Sequence, residues 1–133
     1  MENRRKDYRH RLEAPGRLGA ELTPSGRPAA VAAEVIDLSV SGLAVALPAA
    51  AAPTVGEACI VRLVATAERL DLKIPAVVIH RHDTPAGSRL GLHFPPLANP
   101  AANDNRERVL WRFLLEEQRR LRRRPPERRQ NAG

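Results

Sequence analysis

From about residue 17 to 95 the chain is dominated by alternation of apolar and polar or small residues. Leu18, Ala20 and Leu22 alternate with Gly19 and Glu21; Leu43, Val45 and Leu47 alternate with alanines. Val61, Leu63 and Ala65 alternate with Arg62 and Val64, and Leu70, Leu72 and Ile74 are separated by Asp71 and Lys73. Leu90, Leu92 and Phe94 alternate with Gly91 and His93. A period of two means strands with one face buried. Turn-forming residues fall between the runs, at Thr23-Pro24-Ser25-Gly26, Ser41-Gly42, Pro53 with Gly56, and Pro85-Ala86-Gly87-Ser88. About six strands on short turns, with no helical pattern among them, predict a small antiparallel barrel. Ser41-Gly42 reads as a tight corner between two strands, and Pro75 as a bulge or an edge position.

After Pro95-Pro96 the period changes. Leu110, Phe113, Leu114 and Leu121, widened by Val109 and Trp111 and interrupted by Glu117, form a helical stripe. Asn103 or Asp104 is the expected cap and Pro125-Pro126 the stop, so a helix of roughly 30 Å is expected over about 104–124. The fold class is therefore all-β with a C-terminal helix. The expected organisation is an N-terminal arm (1–12), a six-stranded antiparallel barrel (13–102), an amphipathic helix (103–124) and a disordered tail (125–133).

Composition adds limits. A chain of 133 residues holds one domain with modest extensions. Its net charge of +7 is concentrated at the ends: residues 1–11 carry five basic and two acidic side chains, and residues 104–133 carry ten and five. The body between them is close to neutral, so a broad basic face on the fold is not expected. Tyr8, Phe94, Trp111 and Phe113 are the only aromatics, too few for a base-stacking platform, which argues against a nucleic-acid binder. The longest apolar stretch, Leu43 to Val55, is 13 residues with two prolines inside and predicts no transmembrane segment. With a charged N-terminus and the single Cys59 in an apolar run, the chain reads as cytoplasmic with a buried, unreactive thiol.

Two short motifs carry the candidate chemistry. Arg4-Arg5-Lys6-Asp7-Tyr8-Arg9 packs guanidinium groups together; Asp37-Leu38-Ser39-Val40-Ser41-Gly42 places a carboxylate, a hydroxyl and a glycine at the end of a β-like run. Arginine forks grip phosphate oxygens or the O6/N7 edge of guanine, and a carboxylate accepts from the N–H groups on its other edge. Each motif has a plainer reading, a solvated basic terminus and an ordinary Asx or Ser turn.

With a six-strand barrel and a C-terminal amphipathic helix around them, these residues resemble the PilZ domain family. Its signature is RxxxR followed by [D/N]xSxxG; Arg5 and Arg9 match the first element, with Arg4 completing a double arginine, and Asp37, Ser39 and Gly42 match the second. Leu90-Gly91-Leu92-His93-Phe94 and the Trp111-Arg112-Phe113-Leu114 helix are also similar, so the resemblance covers about residues 3–124. It implies a non-catalytic receptor for cyclic di-GMP. Arg4, Arg5 and Arg9 would take phosphates and guanines, Asp37 the guanine N–H groups, and Ser39 a phosphate or a base. Gly42 would supply a turn conformation closed to other residues or a close approach of the backbone. A flexible arm closing over the nucleotide would pass the signal to a protein effector in motility, biofilm or polysaccharide control. A ligand-independent adaptor and a basic nucleic-acid binder are the competing classes.

The remaining signals are weaker. His80 and His82 share a strand face, but no third metal ligand is evident and no metal site is expected. Arg119-Arg120 and Arg122-Arg123-Arg124 read as a solvated helix end or as an acidic-partner patch. Glu117 on the apolar stripe weakens the case for helix-mediated association, leaving a monomer or weak homodimer. No nucleophile pattern, carboxylate pair or phosphate-cradling loop is present, so no enzyme and no cofactor are expected.

Overall fold

The computed structural model describes residues 10–11, 18–27 and 29–122; for 10–11 and 121–122 only the backbone is described. The strands are β1 (His10–Arg11), β2 (Gly19–Pro24), β3 (Val31–Leu38), β4 (Gly42–Leu47), β5 (Ala58–Ala65), β6 (Leu70–Thr84) and β7 (Gly87–His93), followed by helix α1 (Pro100–Arg122). Six strands close a ring in the order β3-β2-β5-β6-β7-β4, with β4 returning to pair with β3, and every pairing is antiparallel. The expected six-stranded barrel is thus the observed one. The short β1 lies outside the ring: it pairs with β3 at Asp37 and Leu38, beyond the stretch of β3 that β2 occupies. Of the expected arm at 1–12 only residues 10–11 are described, as the strand β1; its other residues and the expected tail at 125–133 lie outside the described residues.

The inward residues of the alternating runs make the core. Leu22, Leu43, Val45, Val61, Leu63 and Ile74 are fully buried, and Leu90 and Leu92 nearly so. Each such aliphatic side chain contributes about 1.5–3 kcal/mol by leaving water. Helix α1 adds Leu110, Phe113 and Leu114 to the same core. The helix starts earlier than its apolar stripe predicts. The side-chain Oδ1 of Asn99 accepts from the backbone N–H groups of Ala101 (2.9 Å) and Ala102 (3.2 Å), and Pro100 takes the first helical position. Asn103, expected at the cap, instead accepts from the Leu97 N–H at 3.0 Å and tethers the preceding loop.

Two irregularities decide which side chains face out. A register shift in β3 between Val35 and Asp37 inserts Ile36 against β4. Val35 is buried and, by strict alternation, Asp37 would point inward as well; the extra residue turns Asp37 outward and Leu38 into the core. A second shift in β6 between Val78 and His80 has the same effect on His80. Pro75 lies between these regions, paired with Ile60 of β5, while pairing of β6 with β7 begins only at Val77. It therefore occupies the edge position that its missing N–H allows.

Candidate functional site

The Asp37–Gly42 segment forms a corner held from within by Ser39. The Ser39 N–H donates to the Gly42 carbonyl at 2.9 Å. Its hydroxyl oxygen accepts from the N–H groups of Ser41 (3.2 Å) and Gly42 (3.1 Å), and the hydroxyl reaches the Gly42 carbonyl at 3.3 Å. The Ser41 hydroxyl lies at 3.3 Å as well, so the one proton and two lone pairs of the Ser39 hydroxyl all have partners within the corner. Ser39 is wholly buried, and in this structure its hydroxyl bonds within the corner. Val40 anchors the tip into the core, and the Phe94 N–H donates to the Ser41 carbonyl at 2.9 Å, tying the corner to the end of β7. Gly42 opens β4 and is not among the glycines with positive φ, which are Gly26, Gly56 and Gly87. Of the two roles expected for it, the left-handed turn conformation is excluded.

Asp37 stands half-buried on the barrel exterior, and its register neighbours define the surface around it. Arg11 of β1 lies opposite Asp37 on one side and Ala44 of β4 on the other. The same cross-strand row continues to Gly91 on β7 and His80 on β6. The next row holds Glu34, Ala46, Arg89 and His82. Ala44, Ala46 and Gly91 form a shelf of small residues between the carboxylates of β3 and the basic groups of β6 and β7. Gly91 lets the His80 imidazole lie flat on the sheet: a Cβ there would push the ring away. A groove of about 790 Å³ extends the shelf toward the β6–β7 turn, with Glu34, His82 and Arg89 on its walls.

The structure brings Asp37, Ser39 and Gly42 together at one corner. Arg9 is joined by one peptide bond to His10, which pairs with Leu38. The described backbone thus brings His10, the residue after the arginine motif, to the corner; Arg4, Arg5 and Arg9 lie outside the described residues. The sequence reading did not foresee β1 or the shelf. The outward alanines of β4 were its available signal, since alanine on a solvent-facing strand position leaves space above the sheet. His80 and His82 do share the outer face, as their spacing predicts, and among the described residues no three His, Cys, Asp or Glu side chains group to hold a metal. Arg81, given no role by the sequence, points the other way. Its guanidinium donates to the carbonyls of Ala52 (3.0 Å) and Ala49 (3.3 Å) and to Asp83 (2.8 Å), stapling the Ala49–Ala51 3-10 turn against the barrel. Arg81 and Ser88 both bond Asp83 and hold its carboxyl below the usual carboxylate range.

The PilZ domain family model matches residues 3–116, which include both motifs, the whole barrel and most of α1. The chain belongs to the PilZ domain family. Solved structures agree on the fold. The PilZ barrel described here is similar to YcgR from Escherichia coli in complex with c-di-GMP, at 17% identity and a TM-score of 0.67, over 95% of this chain and 49% of that one. It is also similar to the Bacillus subtilis inhibitor of motility MotI/DgrA, at 19% identity and a TM-score of 0.59, over 88% and 51%. A third, the Legionella protein Lpg0364, gives 18% identity and a TM-score of 0.54 over 85% and 98%. The chain spans about half the length of YcgR and of MotI/DgrA. The curated proteins contain no match. Among the described residues no helix is long and apolar enough to cross a membrane.

Proposed function

We propose that this PilZ domain is a cyclic di-GMP receptor that binds without catalysis and relays nucleotide occupancy to a protein partner. The observation that carries the reading is the pairing of β1 with β3, which sets His10 opposite Leu38 and Arg11 opposite Asp37, so that the residue following Arg9 meets the corner although 28 positions separate Arg9 from Asp37. Arg9 and Arg5 supply forks for phosphates and guanine edges, with Arg4 as a further phosphate contact. Asp37 accepts from guanine N1–H and the exocyclic amine. Ser39 acts mainly through the corner it holds, keeping Asp37 and the backbone of Gly42 in place, and Gly42 lets the nucleotide approach that backbone. The small Ala44 beside Asp37 leaves space above the sheet for a base, next to the His80 ring that covers Gly91. The nucleotide draws residues 1–9 against the corner, and the changed surface is what a partner reads. That one similar structure was solved with c-di-GMP and another is an inhibitor of motility supports the reading and a motility-type output.

Isothermal titration with cyclic di-GMP tests it. Saturable heat is expected, and none at tens of micromolar ligand would sink the proposal. Because a bidentate arginine–guanine contact is worth about 1–3 kcal/mol, Arg9→Ala should weaken binding roughly tenfold. Asp37→Ala should weaken it as well and narrow the preference over cyclic di-AMP.

A further inference from the structure

A second concave site lies away from the corner, between the β5–β6 turn and helix α1. The cleft measures about 500 Å³. Leu70, Val109 and Phe113 give it an apolar floor, and Arg69 and Arg112 stand exposed at its rim. Neither guanidinium makes a hydrogen bond or ion pair with the described residues. Two carboxylates also line it: Glu116 is paired with Arg119 at 3.0 Å, and Glu68 has an interaction of its own, although its buried Oε1 accepts no hydrogen bond. The cleft therefore offers two exposed guanidinium groups, neither directly paired, at the rim of an apolar pocket, with Arg119 offsetting the charge of Glu116.

Two further observations extend it. Arg69 sits at φ 56, the one described non-glycine residue in left-handed conformation. A long side chain there costs of order 1 kcal/mol relative to glycine, and such strain is characteristic of sites where the side chain has a task. On α1, Arg108, Arg112, Leu115 and Arg119 follow at spacings of four, three and four, which puts them on one outward stripe. Leu115 is 43% exposed, a large apolar side chain among arginines.

We infer that this cleft and the adjoining helix stripe dock an acidic segment of a partner protein, with an apolar anchor residue in the pocket and carboxylates on Arg69 and Arg112. Charge and shape select that occupant. Phosphate backbones would satisfy the arginines but have nothing to place on Leu70, Val109 and Phe113. A membrane surface needs a broad apolar face, and among the described side chains of the helix (100–120) Leu115 is the only large apolar one that stands exposed. A hydrophobic anchor flanked by Asp or Glu uses both the apolar floor and the two arginines. The site is separate from the nucleotide corner, and its test is run without nucleotide, so failure here leaves the cyclic di-GMP proposal standing and the reverse.

The test is selection of random dodecapeptides displayed on phage against the full chain, with counter-selection on an Arg69→Gly/Arg112→Ala double variant. Arg69→Gly suits the purpose because glycine adopts the existing backbone without strain, and urea unfolding checks that each variant is folded. Enriched peptides should carry a Leu, Ile, Phe or Met next to acidic residues. The synthetic form of the strongest should bind the chain and lose about fivefold in affinity on either single substitution, the effect of one exposed charge pair. Absence of enrichment overturns the inference, as do enriched peptides without acidic residues or affinities that ignore both arginines. Duplex DNA or phosphatidylglycerol vesicles engaging the same arginines more tightly than any selected peptide would also overturn it.

Discussion

Ser39 illustrates how one side chain acts through others. Removing its hydroxyl strands the N–H of Gly42 in a buried corner and takes a partner from the half-buried N–H of Ser41. An unsatisfied buried donor costs about 1–3 kcal/mol, so Ser39→Ala should lower stability by about 2 kcal/mol in urea unfolding. A loss below about 0.5 kcal/mol, the range of an inert surface change, would show that the corner does not depend on this hydroxyl. The motif spacing made Ser39 stand out in the sequence, but the motif does not say where the hydroxyl points. That depends on Val40 entering the core and on the Phe94–Ser41 bond to β7, neither of which is local.

At the scale of elements, the strands were legible because each inward residue of β2, β4 and β5 is apolar, as are Leu90 and Leu92 of β7 beside the buried Ser88, and each run ends in turn chemistry. The bulges were not. Ile36 and Ile79 have the composition of ordinary strand residues, and the extra residue in each pairing is a property of two strands together. The helix start was misplaced for a related reason. Ala101 and Ala102 are exposed, so the first turn carries no apolar stripe to announce it, and Asn99-Pro100 marks the start by capping alone. Arg106 and Glu117 lie on the buried face, where periodicity predicts apolar residues. Arg106 reaches the Pro95 carbonyl at 3.0 Å, and Glu117 pairs with Arg120 at 2.8 Å. If Asn99 is the cap, Asn99→Ala should cost about 1 kcal/mol in thermal or urea unfolding, while the exposed Asp104→Ala should stay within about 0.5 kcal/mol.

For the molecule as a whole, the core carries a chemical marker of its own integrity. Cys59 is 3% exposed, and burial, with a smaller contribution from the charge of Glu57, pushes its thiol up to about 11 from the ordinary 9.0. In the unfolded chain the thiol ionises first, so over the interval from about 9 to about 11 the folded barrel binds more protons. Stability from this group is complete below pH 9 and is lost as pH rises through that window, by at most roughly 2–3 kcal/mol. A Cys59→Ala variant, compared with the parent by urea unfolding at pH 8 and pH 10.5, should lack this component of the decline. The native thiol should also stay unreactive toward a disulfide reagent at pH 8 and react once the barrel is unfolded.

The sequence by itself determined the barrel, the closing helix and the pair of motifs, because alternation, turn residues and residue chemistry are properties of short segments. Its charge distribution also separated the basic ends from a near-neutral body. Only the tertiary structure decided that β1 crosses β3 opposite Asp37, that a bulge turns Asp37 outward, and that Ser39 serves the corner from inside. It also decided that Arg69 and Arg112, 43 positions apart, border one cleft. Each of these is a relation between segments distant along the chain, set by strand register and by how the helix packs, and no local pattern of residues encodes it.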